Sequence, residues 1–445
     1  MNFKNRLRTA VWRLADNLRY SRAIRNLLAV SLGLRALLSP PRSKSKVYAL
    51  ARAYGMAETR EVQRLLIRFL GPLLSPVHEP VWRKTVETNS TYSELLAKHP
   101  QLTRSVILKE PGPGGEKGVL LTYFEYNLAR ILALPDGGLG WLDRNFHLIF
   151  VASWSPTDYA LLGSALLRWQ SPLHVQCANE ADREKLGGFH PRLVCLPGLA
   201  CDWIDPDFYH PKPHSSRSID LLMVANWGSF KRHREFFEAL TGLPDTLRVV
   251  LVGQREGGRD KKYIEEMARD IGVSQKLEVF ESLSIEEVTA LQCDARVSVI
   301  LSRREGGCVA AVESLFADCA LAMRCDAHIG SSAHIQELTG RMLRPGHVAE
   351  DLAGLLAASG SMKSREWACE HIRNDLTLDR INGAIRDATL AAGGNWTRDL
   401  AVPRWRPHPM LENETDRERL RPVYEDLNKR FPELVRSDLM DTSHR

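Results

Sequence analysis

From residue 219 onward, short apolar runs alternate with amphipathic segments at a regular interval, and this rhythm constrains the fold more than any other feature. Apolar runs predict strands, and the 3.6-residue periodicity between them predicts helices. The predicted strand and helix pairs are 220–224 with 231–240, 247–252 with 261–271, 277–280 with 285–291, and 295–301 with 308–316. Four consecutive units of this kind indicate a doubly wound parallel sheet.

A less regular alternation occupies residues 104–196. Strands are predicted at 105–108, 119–121, 147–152, 173–176 and 193–196. We therefore predict an α/β protein with two Rossmann-like doubly wound domains that face a cleft, preceded by an extra helical N-terminal arm. The predicted segments are the arm (1–45), the N-terminal domain (46–200), a linker (201–218), the C-terminal domain (219–365) and a C-terminal helical crossover and strap (366–445).

The N-terminal arm carries most of the positive charge. Residues 1–45 hold ten Lys or Arg and one acid, Asp16, which gives +9, whereas the whole chain sums to +6. Apolar residues recur among the arginines at helical spacing. One hypothesis is a basic helix that binds an anionic membrane through residues 1–39. The alternative is a helix whose leucine face packs on the N-terminal domain.

Charge and composition also exclude several classes of protein. The chain outside the arm sums to −3, and its aromatic residues are not interleaved with basic runs, which excludes a nucleic-acid partner. Eight cysteines without a CxxC motif are too sparse for a disulfide framework, so a cytoplasmic location is predicted. No apolar run is long enough to span a membrane, and no signal peptide is recognised.

The sharpest local feature is the segment from Ser302 to Glu313, which follows a predicted strand. Gly306 and Gly307 allow close approach of a backbone to a ligand, and the helix that begins after them favours anions. Glu305 in the turn offers a carboxylate to sugar hydroxyls. Glu313, about two helical turns later, reaches another part of an elongated ligand. The alternative is an ordinary glycine turn before a helix.

The second feature, Val224 to His233, also joins a predicted strand to a helix. Lys231 lies in the first helical turn, where a cation opposes the helix dipole. A lysine in that position is better explained if it faces a phosphate. The alternative is a solvated basic turn.

Together these segments resemble the group 1, or family 4, glycosyltransferases, whose fold is GT-B. In that family a lysine follows the first strand of the C-terminal domain, and two glutamates separated by seven residues follow later. Lys231, Glu305 and Glu313 match this pattern. The resemblance continues through 328–330, 335–343 and 351–353, covers about residues 170–360 well, and extends to the N-terminal half in outline.

The resemblance implies transfer of a sugar from a nucleotide diphosphate donor with retention at the anomeric carbon. Helix N-termini and a lysine stabilise the departing diphosphate, so no metal and no cofactor are expected. The implied catalytic residues are Glu305, which would hold the donor sugar, and Lys231, which would bind a phosphate. Glu313 would accept a hydrogen bond from the ribose, and the backbone of Gly306 and Gly307 would lie against the donor. The sequence agrees with the expectation of no metal, since no Asp-x-Asp ends a predicted strand and no His/Cys cluster has metal-ligand spacing.

Four positions depart from the family pattern, and one of them is Ala320, which stands where the family has a proline. Asn226 stands where the family usually has an arginine, so Arg232 or Arg303 is expected to supply the missing donor contact. Cys308 replaces a glycine near the sugar site. Asp318 replaces the glycine after the helix, and aspartate tolerates the left-handed conformation that a helix end requires.

The N-terminal domain offers a further glycine-rich segment, Pro111 to Gly118, between two predicted strands. Gly114, Gly115 and Gly118 are candidates for a loop that faces the donor, and a flexible connection is the alternative. Trp154 follows a predicted strand, where it either stacks on an acceptor sugar or packs as a half-buried side chain.

We therefore expect a transferase that uses a nucleotide-sugar donor and a saccharide or lipid-linked acceptor, in polysaccharide or glycolipid synthesis. The alternatives are a GT-B epimerase and a non-catalytic protein that binds sugar nucleotides or a membrane surface. The presence of Glu305, Glu313 and Lys231 argues against loss of activity.

Overall fold

The structure is a computed structural model that describes residues 3–98, 105–405, 409–432 and 434–435. The chain divides into two compact units. The first-sheet unit comprises Leu18–Ala200 and Asn374–Arg445, and the second-sheet unit comprises Met1–Asn17 and Cys201–Arg373. Each unit is therefore assembled from two separate stretches of chain. The predicted domain boundaries stay a prediction.

Six α-helices precede the first strand in the described part of the chain. They are α1 (Phe3–Tyr20), α2 (Arg22–Leu37), α3 (Lys44–Met56), α4 (Arg60–Leu70), α5 (Glu79–Glu87) and α6 (Ser90–Lys98). The hydroxyls of Ser21 and Ser43 cap α2 and α3 by accepting hydrogen bonds from backbone N–H groups. Helix α2 packs closely, because a Cβ on Gly33 would lie 2.9 Å from Leu66 of α4. The predicted helical N-terminal region is confirmed.

The first sheet contains β1 (Val106–Lys109), β2 (Gly118–Tyr123), β3 (Phe146–Val151), β4 (Leu173–Gln176) and β5 (Leu193–Cys195). The strands lie in chain order, β1 is antiparallel to β2, and the others are parallel. The intervening helices are α7 (Glu125–Leu132), α8 (Asp136–Asn145), α9 (Tyr159–Arg168) and α10 (Glu180–Gly187). The predicted α/β domain with a mainly parallel sheet is confirmed, and its described strands run in chain order without a reversal.

The second sheet contains β6 (Ile219–Val224), β7 (Arg248–Gly253), β8 (Lys276–Glu281), β9 (Ala295–Ile300), β10 (Ala320–Arg324) and β11 (Gly340–Leu343). Its order is β11-β10-β9-β6-β7-β8, and every pairing is parallel. The helices are α11 (His233–Leu240), α12 (Lys261–Ile271), α13 (Ile285–Cys293), α14 (Val309–Phe316) and α15 (Val348–Ala358). Strand order reverses at β6, so the doubly wound prediction holds for this sheet.

The core of the second-sheet unit explains why its strands are so clear in the sequence. Leu221, Val249 and Val297 belong to one buried cluster and are 0% exposed. Helices cover the strands, so the apolar runs are nearly continuous and do not alternate. The α/β class with two mainly parallel sheets is confirmed.

The C-terminal residues form α16 (Ser364–His371), α17 (Asn374–Ala391), β12 (Pro403–Trp405), β13 (Pro409–Leu411) and α18 (Glu414–Arg430). Part of the predicted strap, residues 406–408, lies outside the described residues. The stretch after α17 completes the first-sheet unit, because Tyr424 of α18 accepts a hydrogen bond from the backbone N–H of Ile107 at 2.8 Å. Ala401 donates to the carbonyl of Leu108 at 2.7 Å.

Candidate functional site

The candidate site lies at the point where the second sheet reverses its strand order. Strands β6 and β9 are neighbours, yet the chain leaves them in opposite directions across the sheet. In open α/β sheets, the crevice between two such strands, at their carboxyl ends, is where ligands bind. Lys231 follows β6 and Glu305 follows β9. The topology thus brings both predicted catalytic residues to one crevice.

Lys231 and Glu305 form an ion pair across this crevice. The Nζ atom of Lys231 lies 2.6 Å from Oε2 of Glu305, and the side chains are 14% and 11% exposed. Burial is the largest single effect and would lower the pKa of Lys231, but the charge of Glu305, its hydrogen bond and the neighbouring Cys308 together raise this pKa. The lysine is therefore held in its charged form beside a carboxylate.

Only one oxygen of Glu305 is used in this pair. Its Oε1 atom is buried and accepts no hydrogen bond within the described part of the chain. A buried acceptor without a donor is unfavourable by about 1–3 kcal/mol. A ligand hydroxyl could supply that donor, which fits the expected contact with a sugar.

The turn that carries Glu305 is held by backbone hydrogen bonds to a second loop. His328 donates to Arg303, and Glu305 donates to His328, at 2.7 and 3.3 Å. Gly330 and Ser331 donate to the carbonyls of Gly306 and Gly307, at 3.0 and 3.1 Å. The two glycine carbonyls are therefore engaged on this side, and the turn has a fixed shape.

Gly307 also meets a neighbour that excludes a side chain. A Cβ at this position would lie 2.8 Å from the Cβ of Cys201. Close packing against Cys201 is therefore one reason for glycine here, in addition to the expected approach of a ligand.

Cys308 adopts a left-handed conformation immediately before α14, with φ 55° and ψ 72°. This conformation explains why glycine is the usual residue at the position, since a Cβ is disfavoured there. Burial raises the pKa of the Cys308 thiol to about 12, so the group stays protonated.

Asp318, after α14, has φ 58°, which confirms that it adopts the left-handed conformation expected of it.

Glu313 lies on α14, the helix that directly follows the turn. Gln292 donates to its Oε2 atom at 3.4 Å, and Tyr209 is its second hydrogen-bonding neighbour. Burial raises the pKa of the Glu313 carboxyl, although these two hydrogen bonds act in the opposite direction. The carboxylate is thus oriented by neutral groups and not by a cation.

Asn226 has a structural role in the turn after β6. Its side-chain oxygen accepts a hydrogen bond from the backbone N–H of Gly228 at 3.2 Å. This is a local turn of the kind that asparagine favours. Replacement of the family's arginine by Asn226 therefore exchanges a cation for a group that shapes the loop.

The two arginines expected to compensate for Asn226 are both engaged by α1. Arg232 and Arg303 lie 2.5 and 3.1 Å from the carboxylate of Asp16. Trp12 covers Arg232, with 4.7 Å between the guanidinium carbon and the ring centroid. Arg232 also pairs with Glu235 at 2.5 Å. Neither arginine is a free cation, which the sequence did not reveal.

The glycine-rich segment of the first-sheet unit lies away from the expected edge. Gly114 and Gly115 form a turn with φ 68° and 81°, and Gly118 is the first residue of β2. Because β1 is antiparallel to β2, the segment lies at the amino ends of the parallel strands. Ligands bind at the carboxyl ends of such sheets, so this placement does not support a donor-facing loop, and the role of these glycines stays a prediction.

The carboxyl edge of the first sheet contains a residue that the sequence analysis missed. Glu125 follows β2, is 0% exposed, and accepts hydrogen bonds from the backbone N–H groups of Ser153 and Trp154 at 3.1 and 3.0 Å. Burial raises the pKa of Glu125 to about 7. Trp154 itself is half-buried and stacks on Tyr92 with ring centroids 5.9 Å apart. A carboxylate directly after a predicted strand was the available signal.

A second missed group lies behind the Gly306–Gly307 turn. Cys201, Asp202 and His334 bring a thiol, a carboxylate and an imidazole together, and all three residues are buried. Spacing could not reveal this group, because 132 residues separate Asp202 from His334.

Known proteins were compared with the chain by sequence and by structure. The model of the family described as glycosyl transferases group 1 matches residues 207–324. No curated protein matches the chain.

Among solved structures, TarM from S. aureus, in complex with fondaparinux, α-GlcNAc-glycerol and UDP, has a TM-score of 0.44 and 12% identity over 53% of this chain and 50% of that one. Sucrose-phosphate synthase from Thermosynechococcus elongatus has a TM-score of 0.48 and 14% identity over 69% and 79%. HepE from Anabaena, in complex with UDP and glucose, has a TM-score of 0.43 and 13% identity over 61% and 78%.

The chain spans about half the length of the TarM structure. The matched residues 207–324 contain Lys231, Glu305 and Glu313, together with strands β6–β9 on which the crevice is built. The resemblance to the group 1 glycosyltransferases is therefore confirmed for residues 207–324.

Proposed function

We propose that this protein is a glycosyltransferase that moves a sugar from a nucleotide diphosphate donor to a saccharide or lipid-linked acceptor. The observation that carries the proposal is the ion pair of Lys231 and Glu305 at the reversal point of the second sheet. A cation and a carboxylate side by side suit a ligand that has a diphosphate next to hydroxyl groups. Glu313, on the helix that follows, suits a third part of the same ligand.

The proposed roles follow from the chemistry of each group. Lys231 binds a donor phosphate and neutralises the charge that develops on the departing diphosphate. Glu305 accepts a hydrogen bond from the donor sugar through Oε1, which has no donor among the described residues. Glu313 accepts from a ribose hydroxyl. Gly306 and Gly307 let the backbone approach the donor, and Asn226 shapes the turn beside Lys231.

Transfer is proposed to proceed with retention and without a metal ion in the crevice. The supporting observation is that Lys231, held in its charged form by Glu305, already supplies a positive charge for a diphosphate. Arg232 and Arg303 supply further phosphate contacts once they exchange Asp16 for the ligand. Added chelator should therefore not abolish transfer, and a complete loss that Mn²⁺ or Mg²⁺ restores would contradict this part.

The acceptor is proposed to bind the first-sheet unit at the carboxyl edge of β2 and β3. Glu125 and Trp154 lie there, and the raised pKa of Glu125 lets its carboxyl exchange a proton near neutral pH. A half-buried tryptophan offers an apolar face to a sugar ring. Polysaccharide or glycolipid synthesis is the setting that such an acceptor implies.

A cytoplasmic location at an anionic membrane surface is proposed for the helical N-terminal region. Leu27, Leu34 and Leu38 are 70%, 59% and 90% exposed and share the face of α2 opposite to the buried Ala29 and Gly33. Helix α4 adds the exposed residues Arg64, Leu65, Arg68 and Phe69. Exposed leucines beside arginines are typical of an interfacial surface, and each cation near an anionic leaflet contributes about 1 kcal/mol. Among the described helices, none has both the length and the apolar character to cross a bilayer.

Donor binding and transfer test the proposal directly. Titration with uridine, guanosine and adenosine diphosphates would identify the base, and transfer would be followed with the matching sugar nucleotides. Glu313→Ala should weaken nucleotide binding by about 1–3 kcal/mol, and Glu305→Ala should mainly lower turnover. Glu350→Ala is the control, since that side chain is 68% exposed. Wild-type transfer by both crevice variants would overturn the proposal.

Vesicle co-sedimentation tests the membrane part. The wild-type protein should pellet with anionic vesicles at low salt and be released as salt rises. Leu34→Ser combined with Leu38→Ser should remain in the supernatant, whereas the control Leu390→Ser should pellet, because Leu390 is also exposed, at 50%, but lies in α17. Equal sedimentation of both variants, or none by the wild type, would contradict membrane binding.

A further inference from the structure

Three side chains of different chemistry converge behind the Gly306–Gly307 turn, within the second-sheet unit. The Sγ atom of Cys201 lies 3.4 Å from Oδ1 of Asp202 and 4.0 Å from Nε2 of His334. The imidazole nitrogen and the carboxylate oxygen are 2.8 Å apart. The three residues are 1%, 3% and 6% exposed.

The spacing of these atoms is close to that of a tetrahedral zinc site. With Zn–N and Zn–O distances of about 2.0–2.1 Å and Zn–S of about 2.3 Å, neighbouring ligand atoms are roughly 3.3–3.6 Å apart. Of the three observed separations, 3.4 Å lies within this range, 2.8 Å lies about 0.5 Å below it and 4.0 Å lies about 0.4 Å above it. Small side-chain rotations would therefore bring all three atoms onto one ion.

The charges also suit a divalent ion. A thiolate and a carboxylate carry two negative charges, which Zn²⁺ neutralises, and the imidazole is a neutral ligand. The complex of the ion with its three ligands would have no net charge, and burial is least unfavourable for an uncharged complex.

Ser331 could bind the water that completes the coordination of the ion, and it lies in the same 3-10 helix as His334. Ser331 and His334 are three residues apart in a 3-10 helix, where such side chains lie one above the other. The Ser331 hydroxyl is buried and has no hydrogen-bond partner within the described residues. Three protein ligands leave one position for water, and a bound water would give this hydroxyl its missing partner.

We propose that Cys201, Asp202 and His334 form a binding site for a soft or borderline divalent cation such as Zn²⁺. The ion would tie Cys201 and Asp202, where the longer stretch of the second-sheet unit begins, to the loop whose Gly330 and Ser331 hold the glycine turn. Its role is structural, because Cys201 packs on the back of Gly307, and Lys231, Glu305 and Glu313 are not among the three ligands. The inference is independent of the proposed function.

Metal content and Co²⁺ spectroscopy of the full-length protein test this site without any measurement of activity. Protein prepared with added zinc should hold about one equivalent per chain. Co²⁺ in its place should show the intense absorption of a thiolate ligand. Cys201→Ser should remove that absorption and weaken zinc binding at least tenfold. Cys319→Ser is the matched control, since Cys319 is a buried cysteine whose thiol donates to backbone carbonyls.

His334→Gln provides a second variant in case Cys201→Ser does not fold. It keeps a group that can donate to Asp202 but removes the imidazole ligand, so it should also lose zinc while the circular dichroism spectrum is retained. Absence of zinc from the wild-type protein, Co²⁺ absorption without a thiolate band, or wild-type affinity in folded Cys201→Ser or His334→Gln would each overturn the proposal.

Discussion

The carboxylate of Asp16 lies 2.5 Å from the guanidinium of Arg232, so an acid from the first helix neutralises a cation at the edge of the candidate crevice. Arg303 shares the same carboxylate at 3.1 Å. A phosphate that approaches either arginine must compete with Asp16. This part of the arm thus belongs to the second-sheet unit, as the clustering of residues 1–17 with that unit also shows.

Asp16→Asn should lower the free energy of unfolding by about 1–3 kcal/mol, because it leaves two mostly buried guanidinium groups without their shared charge. Arg232 and Arg303 are 6% and 14% exposed. Denaturant unfolding would measure the change. Asp387→Asn is the control, since that carboxylate is 73% exposed. Equal stability of the two variants would show that the Asp16 contact contributes nothing.

Lys231→Met should lower both stability and transfer. A lysine at the start of a helix is expected from sequence to contribute little to stability, but here its loss leaves the mostly buried Glu305 unpaired, which costs about 1–3 kcal/mol. Lys261→Met is the control, because Lys261 opens α12 and pairs with Glu265 only at the surface, at 3.7 Å. Equal unfolding curves and equal transfer rates for the two variants would remove Lys231 from the site.

Stability should fall as pH rises from about 4.5 to about 7, owing to Glu125. Its pKa is raised to about 7 by burial, so the folded state holds the proton more tightly than the unfolded state, and the stabilisation present below pH 4.5 is lost through pH 7. The loss corresponds to about 3 kcal/mol. Glu125→Gln cannot ionise, and its unfolding free energy should lack this component. Parallel pH curves for variant and wild type would contradict the assignment.

Cys308→Gly should raise the free energy of unfolding by up to about 1 kcal/mol, since a Cβ in the left-handed conformation costs roughly 1–2 kcal/mol and glycine loses more entropy on folding. Cys308→Ala separates loss of the thiol from relief of strain, because alanine keeps the Cβ. Thermal or denaturant unfolding of both variants would be compared. If the Cys308→Gly variant is no more stable than Cys308→Ala, the backbone conformation with φ 55° is not strained.

The second-sheet unit was predictable from sequence because its strands are buried on both faces. The apolar stretch 295–301, interrupted only by Arg296 and Ser298, predicted β9 to within one residue, and the sheet order then brought Lys231 and Glu305 together. A strand followed by a helix can be recognised from neighbouring residues alone. The crevice then follows from the order of these strands in the sheet, because it lies where that order reverses.

The features that sequence missed depend on contacts between distant residues. The pairing of β1 with β2 is antiparallel, and this direction, which apolar runs do not specify, moves Gly114 and Gly115 to the other edge. Asp16 meets Arg303 across 287 positions of the chain. Glu125 resembled any other helix-opening acid until its burial was known.

The division of the first-sheet unit into 18–200 and 374–445 has a consequence for synthesis on the ribosome. Residues 18–200 emerge early, but Ile107 obtains its partner Tyr424 only after 317 further residues. At about 5–20 residues per second, the edge strand β1 waits on the order of tens of seconds for α18. The second-sheet unit, whose stretch 201–373 is finished earlier, can fold first, and the nascent first sheet is the part of the chain that a chaperone would have to shield.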